Sequence, residues 1–234
     1  MGSRYTRGSF VRRAGVAAAG VSLGGVLGSA SPALAAGDPT ATTPDAALRR
    51  LLTGNRRYAR LKAIHPDQTG ARRQKLASGQ QPFATIFGCV DSRVPPEIVF
   101  DQGLGDLFVI HTAGEVVDDA VLGSIEYGVE HLGTPLVVVL GHEKCGAVAS
   151  TIEAVRTGAK VPPHIDYLVN GIRPAVERTQ GKPGDHLDNA VRENARLVAA
   201  RLRRNTIIAH AAHEGKVKVV AARYDLDTGR VALL

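Results

Sequence analysis

Phe83-Ala84-Thr85-Ile86-Phe87-Gly88-Cys89-Val90-Asp91-Ser92-Arg93 and Leu136-Val137-Val138-Val139-Leu140-Gly141-His142-Glu143-Lys144-Cys145-Gly146 are built to one plan. Each opens on a short, almost wholly apolar run, passes a glycine and turns abruptly polar at a cysteine or histidine. Apolar runs without alternation predict strands covered on both faces, and residues 107–110 are a third such run. Helical patterns lie between and after these runs, over residues 118–131, from 145 to 156, and over 185–204. The last carries Ala190, Val191, Asn194, Leu197, Val198 and Leu202 along one side. Strands alternating with helices predict an α/β fold with a mostly parallel central sheet flanked by helices. The chain ends differently. Residues 216–224 and 230–234 flank Asp225-Leu226-Asp227-Thr228-Gly229, which predicts an antiparallel strand pair at one sheet edge.

Upstream, Thr43 is placed to cap a helix that begins at Pro44, with Ala47, Leu48, Leu51 and Leu52 on one face. That face is hard to bury on a single domain. The helix opens a domain spanning 44–234, preceded by a small, polar linker over 36–43. Residues 1–35 read as a signal peptide. Arg4, Arg7, Arg12 and Arg13 precede an uncharged stretch from Ala14 to Gly37 rich in Ala, Gly and Val, and Ala33-Leu34-Ala35 supplies the small-residue cleavage pattern. Cleavage after Ala35 and export of the mature chain are expected. Thr6-Arg7-Gly8-Ser9-Phe10-Val11-Arg12 resembles the twin-arginine pattern, with Gly8 in place of the second arginine. The uncharged stretch is long enough to span a bilayer as an uncleaved anchor. Its Gly and Ser content makes it a poor one, and no stable membrane span is expected in the mature form.

Composition bounds the rest. Hydrophobic residues make up 44% of 234, Trp is absent and aromatics are only 4%, so one globular core must be built from Val, Ile, Leu and Ala. The net charge of +7 is concentrated in the leader. Without its four arginines, 25 basic residues face 22 acidic ones. With no basic run interleaved with aromatics, this argues against nucleic-acid binding.

The chain holds two cysteines, each at the end of a buried-strand candidate. In open α/β sheets, ligands bind at the carboxyl ends of strands, so both motifs point to one crevice. His142 and Cys145 are spaced to reach one metal, and Cys89 completes a Cys₂His set. Thiolates with imidazole favour zinc, and three protein ligands leave a fourth position open, as in catalytic sites. A disulfide between Cys89 and Cys145 is an equal reading of the cysteine count in an exported protein. A pair of merely buried thiols is another. The charged Asp91 and Arg93 in the same crevice weigh against both, since buried charge is costly unless it pairs or serves a site.

Cys89-Val90-Asp91-Ser92-Arg93 and His142-x-x-Cys145-Gly146 resemble the two signature motifs of the β-carbonic anhydrases. The similarity extends through Leu52-Thr53-Gly54-Asn55-Arg56-Arg57-Tyr58, the segment from Phe100 to Phe108, Ile125-Glu126-Tyr127, and Tyr224-Asp225-Leu226-Asp227-Thr228-Gly229. The resemblance implies one zinc ion per chain on Cys89, His142 and Cys145, with Asp91 held off the metal by Arg93 in an open form and bound as fourth ligand in a closed form. It implies reversible hydration of carbon dioxide to bicarbonate and a proton through zinc-bound hydroxide, the metal lowering the pKa of water from about 15.7 towards roughly 7. Gln80 matches a glutamine that hydrogen-bonds substrate, commonly across a dimer interface. Phe108, Tyr127 and Gly146 match pocket positions. A homodimer or a higher even oligomer is implied, with the N-terminal helix from Pro44 as the dimer arm, which its apolar face supports.

Where the family usually has Arg-x-Ala-Gly-Asn, this chain has His111-Thr112-Ala113-Gly114-Glu115. His111 is a candidate proton shuttle because imidazole titrates near neutral pH, or it fills the space of the family arginine. A regulatory bicarbonate site that uses a Trp and an Arg in one subtype is expected to be absent or altered. His65, His131, His164, His186, His210 and His213 have no supporting spacing. Two alternatives keep the fold: a hydrolase acting on carbon disulfide or carbonyl sulfide, and a non-catalytic module stabilised by zinc or a disulfide.

Overall fold

The computed structural model describes residues 41–234. The expected signal peptide and most of the linker lie outside them. Five strands form one sheet: β1 (Ala84–Cys89), β2 (Leu107–Thr112), β3 (Leu136–His142), β4 (Lys218–Tyr224) and β5 (Val231–Leu233). Their spatial order is β2-β1-β3-β4-β5, parallel except for the antiparallel β4–β5 pair. From β1 the chain goes first to one side, making β2, and then to the other, making β3. The strand order therefore reverses at β1/β3, and a crevice opens beyond the carboxyl ends of those two strands.

β1 and β3 are buried along their whole length, as an unbroken apolar run predicts. β2 corrects that expectation. It is the sheet's edge strand, half-buried throughout with His111 exposed. Its apolar composition matches the inner strands, but one edge lacks a neighbour among the described residues. On the inner strands, successive side chains serve opposite layers. Ile86, Val138 and Leu140 face a layer with Phe83, Phe100 and Val220. Phe87, Val137 and Val139 face the other, with Val121, Ile125, Leu202 and Ile208.

Helix α1 (Pro44–Ala59) begins as expected, Thr43 Oγ1 accepting from Ala46 N at 3.3 Å. Part of its apolar face packs within the chain, while Leu48 and Leu52 stay half-buried. Ala47 and Leu51 are buried in the chain's own first layer, against β1 and β3 side chains. Asn55 explains the docking. Its Nδ2 donates to the carbonyls of Val99 and Gly229 at 3.0 and 2.8 Å, and its Oδ1 accepts from Val231 N at 2.8 Å. Gly54 permits the close approach: a Cβ there would lie 1.8 Å from the Phe100 carbonyl oxygen.

The remaining helices are α2 (Gly70–Leu76), α3 (Pro96–Val99), α4 (Asp119–Glu130), α5 (Gly146–Thr157), α6 (Pro163–Thr179), α7 (His186–Arg203) and α8 (Thr206–His213). The anticipated α4 and α7 are capped by Asp118 and Asp185, which accept from Val121 N and Asp188 N. Helix α6 was hidden in the sequence by its prolines. Pro163 sits in the first turn, where no backbone donor is needed, while Pro174 lies inside the helix. No helix among the described residues is long and apolar enough to cross a membrane.

Arg223 ties the sheet edge to α7. It is only 8% exposed, its Nε donates to Asp188 at 2.7 Å and its NH1 to Asp225 at 2.7 Å. Asp225 also accepts from Thr228 N and Oγ1 within the β4–β5 turn. The Arg223 guanidinium, aided by Thr228, holds the Asp225 carboxyl far below the usual carboxylate range. A depressed native pKa stabilises the fold in full above the unfolded value of about 4, and the contribution is lost progressively as pH falls from there through the native value. Arg223→Gln is therefore expected to lower the thermal midpoint at pH 7, with the gap to the parent narrowing as pH falls from about 5 to 3. Thermal unfolding at both pH values checks this; an equal gap at both would refute it.

Candidate metal centre

Three side chains meet in the crevice at the switch point. Cys89 is the last residue of β1, His142 the last of β3, and Cys145 the N-cap residue of α5. Parallel pairing of β1 with β3 brings the two strand ends together, and the turn 143–145 carries Cys145 back over them. One potential ligand atom from each residue lies within 4.8 Å of the others, and all three residues are buried. Lys144 has φ of 54°, a left-handed conformation that lets the turn close in so few residues. Gly146 opens α5 at the surface, and its missing side chain leaves open space.

The imidazole shows what the pocket is for. His142 Nδ1 lies 2.8 Å from the Glu143 carbonyl oxygen, which can only accept. Nδ1 therefore carries the proton, and Nε2 presents a lone pair. Nε2 is fully buried with no hydrogen-bond partner among the described residues. Such an orphan costs about 1–3 kcal/mol unless something satisfies it. Two sulfurs and one such nitrogen, all aimed at the same point, fit a thiophilic divalent metal.

The two cysteines are free, with Sγ atoms 3.9 Å apart, about twice the length of a disulfide bond. The Cys145 thiol as hydrogen-bond partner, together with the Gly114 N–H, pulls Cys89 down to about 4. The same bond, with burial, pushes Cys145 well up. One proton thus serves both sulfurs, and Cys89 is already disposed to be a thiolate, the form that binds metal.

Asp91 and Arg93 flank the cluster. Arg93 Nε and NH2 donate to the two Asp91 oxygens at 2.8 and 2.7 Å, and the Arg93 N–H adds a third bond at 3.0 Å. Arg93 is anchored to the Lys144 carbonyl at 3.4 Å. The paired guanidinium holds the Asp91 carboxyl down at about 2. Asp91 Oδ2 stands 3.8 Å from His142 Nε2, so an ionised carboxylate faces the point where the ligand atoms converge.

The other expected site residues fall elsewhere. Gln80 is exposed ahead of β1, at the opposite end of that strand from Cys89. Phe108 pairs in register with Thr85, four residues below the Cys89–Thr112 level, roughly 13 Å along the sheet. Its ring packs near Tyr127, centroids 6.2 Å apart, and Tyr127 is 42% exposed. None of the three reaches the cluster of its own chain. His111 does come close. From the exposed edge of β2 its Nδ1 lies 2.9 Å from the Cys89 carbonyl oxygen. Glu115 is fully buried beside the centre, in a short turn after β2.

Two contacts were not anticipated. The Gly114 N–H donates to Cys89 Sγ at 3.4 Å, and Asn194 Nδ2 donates to the Gly114 carbonyl at 2.8 Å. The available signal was Asn194 itself, a polar residue in the apolar stripe of α7.

Comparison with known proteins agrees with this geometry. A family model for carbonic anhydrase matches residues 84–231. Carbonic anhydrase 2 of Mycobacterium tuberculosis is 42% identical over 193 residues, covering 82% of this chain and 93% of that protein. Among solved structures, a Coccomyxa β-carbonic anhydrase in complex with acetazolamide superposes with a TM-score of 0.63 at 26% identity, over 80% of this chain and 86% of that one. A tetrameric β-carbonic anhydrase of Sordaria macrospora has the same fold, with a TM-score of 0.65 at 24% identity, over 80% and 96% of the two chains. With two motifs on adjoining strand ends, a family match over most of its length and a close bacterial relative, the chain belongs to the β class of the carbonic anhydrases.

Proposed function

We propose that the protein is an exported zinc enzyme that hydrates carbon dioxide reversibly to bicarbonate and a proton. The observation that carries this reading is the orphan Nε2 of His142, buried among Cys89 and Cys145 with an ionised Asp91 beside it. Cys89, His142 and Cys145 would hold the ion. Bound there, zinc would act as a Lewis acid that makes water ionise near neutral pH.

The chain's own residues do the rest. Glu143 fixes the His142 tautomer through its carbonyl, so the neutral ring turns a lone pair to the centre. Arg93 keeps Asp91 ionised and pins both its oxygens, so the carboxylate can only accept a hydrogen bond and orients whatever donates to it. While Arg93 holds both oxygens, Asp91 is kept from acting as a fourth ligand.

Two measurements test this. Cys89→Ser is expected to lose most of the one zinc per chain and to slow CO₂ hydration by at least about a hundredfold, read by metal analysis and stopped-flow. Asp91→Ala should keep zinc yet hydrate CO₂ about a hundredfold more slowly. Full activity in either variant refutes the reading, and activity on carbonyl sulfide but not CO₂ would move the substrate assignment.

A homodimer in which each subunit completes the other's site accounts for Gln80, Phe108 and Tyr127. All three lie away from their own cluster, and the half-buried apolar edge strand β2 needs covering. Gln80→Ala and Cys89→Ser chains, each weak or dead alone, should regain roughly a quarter of parental activity when unfolded and refolded together, because half the dimers are mixed and each mixed dimer has one intact site. No recovery would place Gln80 within its own chain's site.

The leader supports export. The mature chain recovered outside the cytoplasm is expected to begin at Ala36, which intact-mass measurement decides; a chain retaining residues 1–35 would contradict cleavage.

A further inference from the structure

Glu115 is the least expected side chain near the centre. It is 1% exposed, a carboxyl inside the protein with no cation among the groups that shift it. It also sits at φ 52°, directly after Gly114 at φ 66°. A non-glycine residue in that region costs energy and persists only where its surroundings fix it. The surroundings here are clear. A Cβ on Gly114 would lie 2.5 Å from Ile172 Cδ1 and 3.1 Å from Ala147 Cβ, so the turn is wedged between α6 and α5. From α7, the buried Asn194 reaches it with Nδ2, donating both to the Gly114 carbonyl at 2.8 Å and to Glu115 Oε2 at 3.1 Å.

The other side of the same peptide faces the metal centre. The Gly114 N–H donates to Cys89 Sγ at 3.4 Å. A donor fixed on a ligating sulfur sets the direction of that sulfur and stabilises its negative charge. The Asn194 amide therefore reaches Cys89 through one residue, and Glu115 holds that amide in place. Glu115 Oε1 is left without a partner among the described residues, so Asn194 is the bond that keeps this carboxyl inside.

We propose that Asn194 and Glu115 form a brace that positions the Gly114 N–H on Cys89 Sγ, making both positioning residues for the metal ligand. The proposal rests on the reading of Cys89, His142 and Cys145 as the metal site. Burial, together with the nearby Cys89 charge, pushes the Glu115 carboxyl well above the ordinary acid range. What the brace needs from residue 115 is an acceptor for Asn194, and a carboxamide supplies one equally well.

The test uses the zinc-loaded chain and three variants, Glu115→Gln, Glu115→Ala and Asn194→Ala. Each is checked for parental folding by circular dichroism. Zinc transfer to a colorimetric chelator gives the release rate, and the thiolate-to-metal absorption band of the cobalt-substituted protein reports on the sulfur directly. Glu115→Ala and Asn194→Ala are expected to release zinc about ten times faster and to shift the band, while Glu115→Gln stays near the parent on both readings. Parental release and an unshifted band in folded Glu115→Ala would overturn the brace, as would Glu115→Gln behaving like Glu115→Ala. If Asn194→Ala does not fold, the two Glu115 variants decide alone. A parent chain that takes up no zinc would sink the metal reading and the brace with it, whereas a parent that holds zinc at the same rate as all three variants sinks only the brace.

Discussion

A buried imidazole nitrogen facing two sulfurs, with no donor to meet it, is tolerable only if the fold holds all three atoms in place and something bonds them. The sheet does the holding. The chain reverses its direction of travel between β1 and β3, which leaves two strand ends side by side. Cys89 and His142 are the final residues of those strands, where pairing has already fixed the backbone. Cys145 comes from a three-residue turn held by a left-handed Lys144 and by the start of α5. Ligand positions built on regular elements are sharper than positions on free loops, and all three here are within one residue of such an element.

Around that centre lies a second layer whose job is orientation. The Glu143 carbonyl chooses the imidazole tautomer, Arg93 aims Asp91, and the Gly114 peptide touches Cys89. Much of this layer is backbone. Arg93 leans on the Lys144 carbonyl, and Leu226 N reaches back to Glu143 Oε2. Through Glu143 and Arg223 the ligand turn is linked to the β4–β5 edge, so that the C-terminal strand pair supports the site from behind.

The legibility of the sequence divides along the same line. Strand ends, caps and ligands depend on local pattern: apolar runs announced β1 and β3, and Thr43, Asp118 and Asp185 announced three helix starts. Cys89, His142 and Cys145 were legible as a group because both motifs end buried runs that point to one crevice, although the cysteines alone also allowed a disulfide or buried thiols. What could not be read depended on distance in the chain. Nothing near residues 107–110 says that β2 lies at an edge; that follows from where β3 chooses to pair. The burial of α1 on its own domain depends on Asn55 meeting Gly229, 174 residues later. Helix α6 was concealed by Pro163, which does no harm at its first turn, and by Pro174, which the helix carries inside it. Gln80, Phe108 and Tyr127 carried family meaning, yet their placement in one chain answers to topology and not to motif.

The distance between the two sulfurs has a further consequence. At 3.9 Å, Cys89 and Cys145 need to approach by only about 2 Å to become a cystine, and both are already in one buried cell. A bound ion keeps them apart and keeps them reduced. Under oxidising conditions the protein is therefore in a contest between two permanent partners for the same pair of thiols. Whichever arrives first closes the door to the other, because a cystine offers no thiolate to a metal. The working life of such a molecule is then governed by kinetics of ion loss more than by the strength of its core, and an adjustment that slows the ion's departure lengthens it even when the melting point does not move.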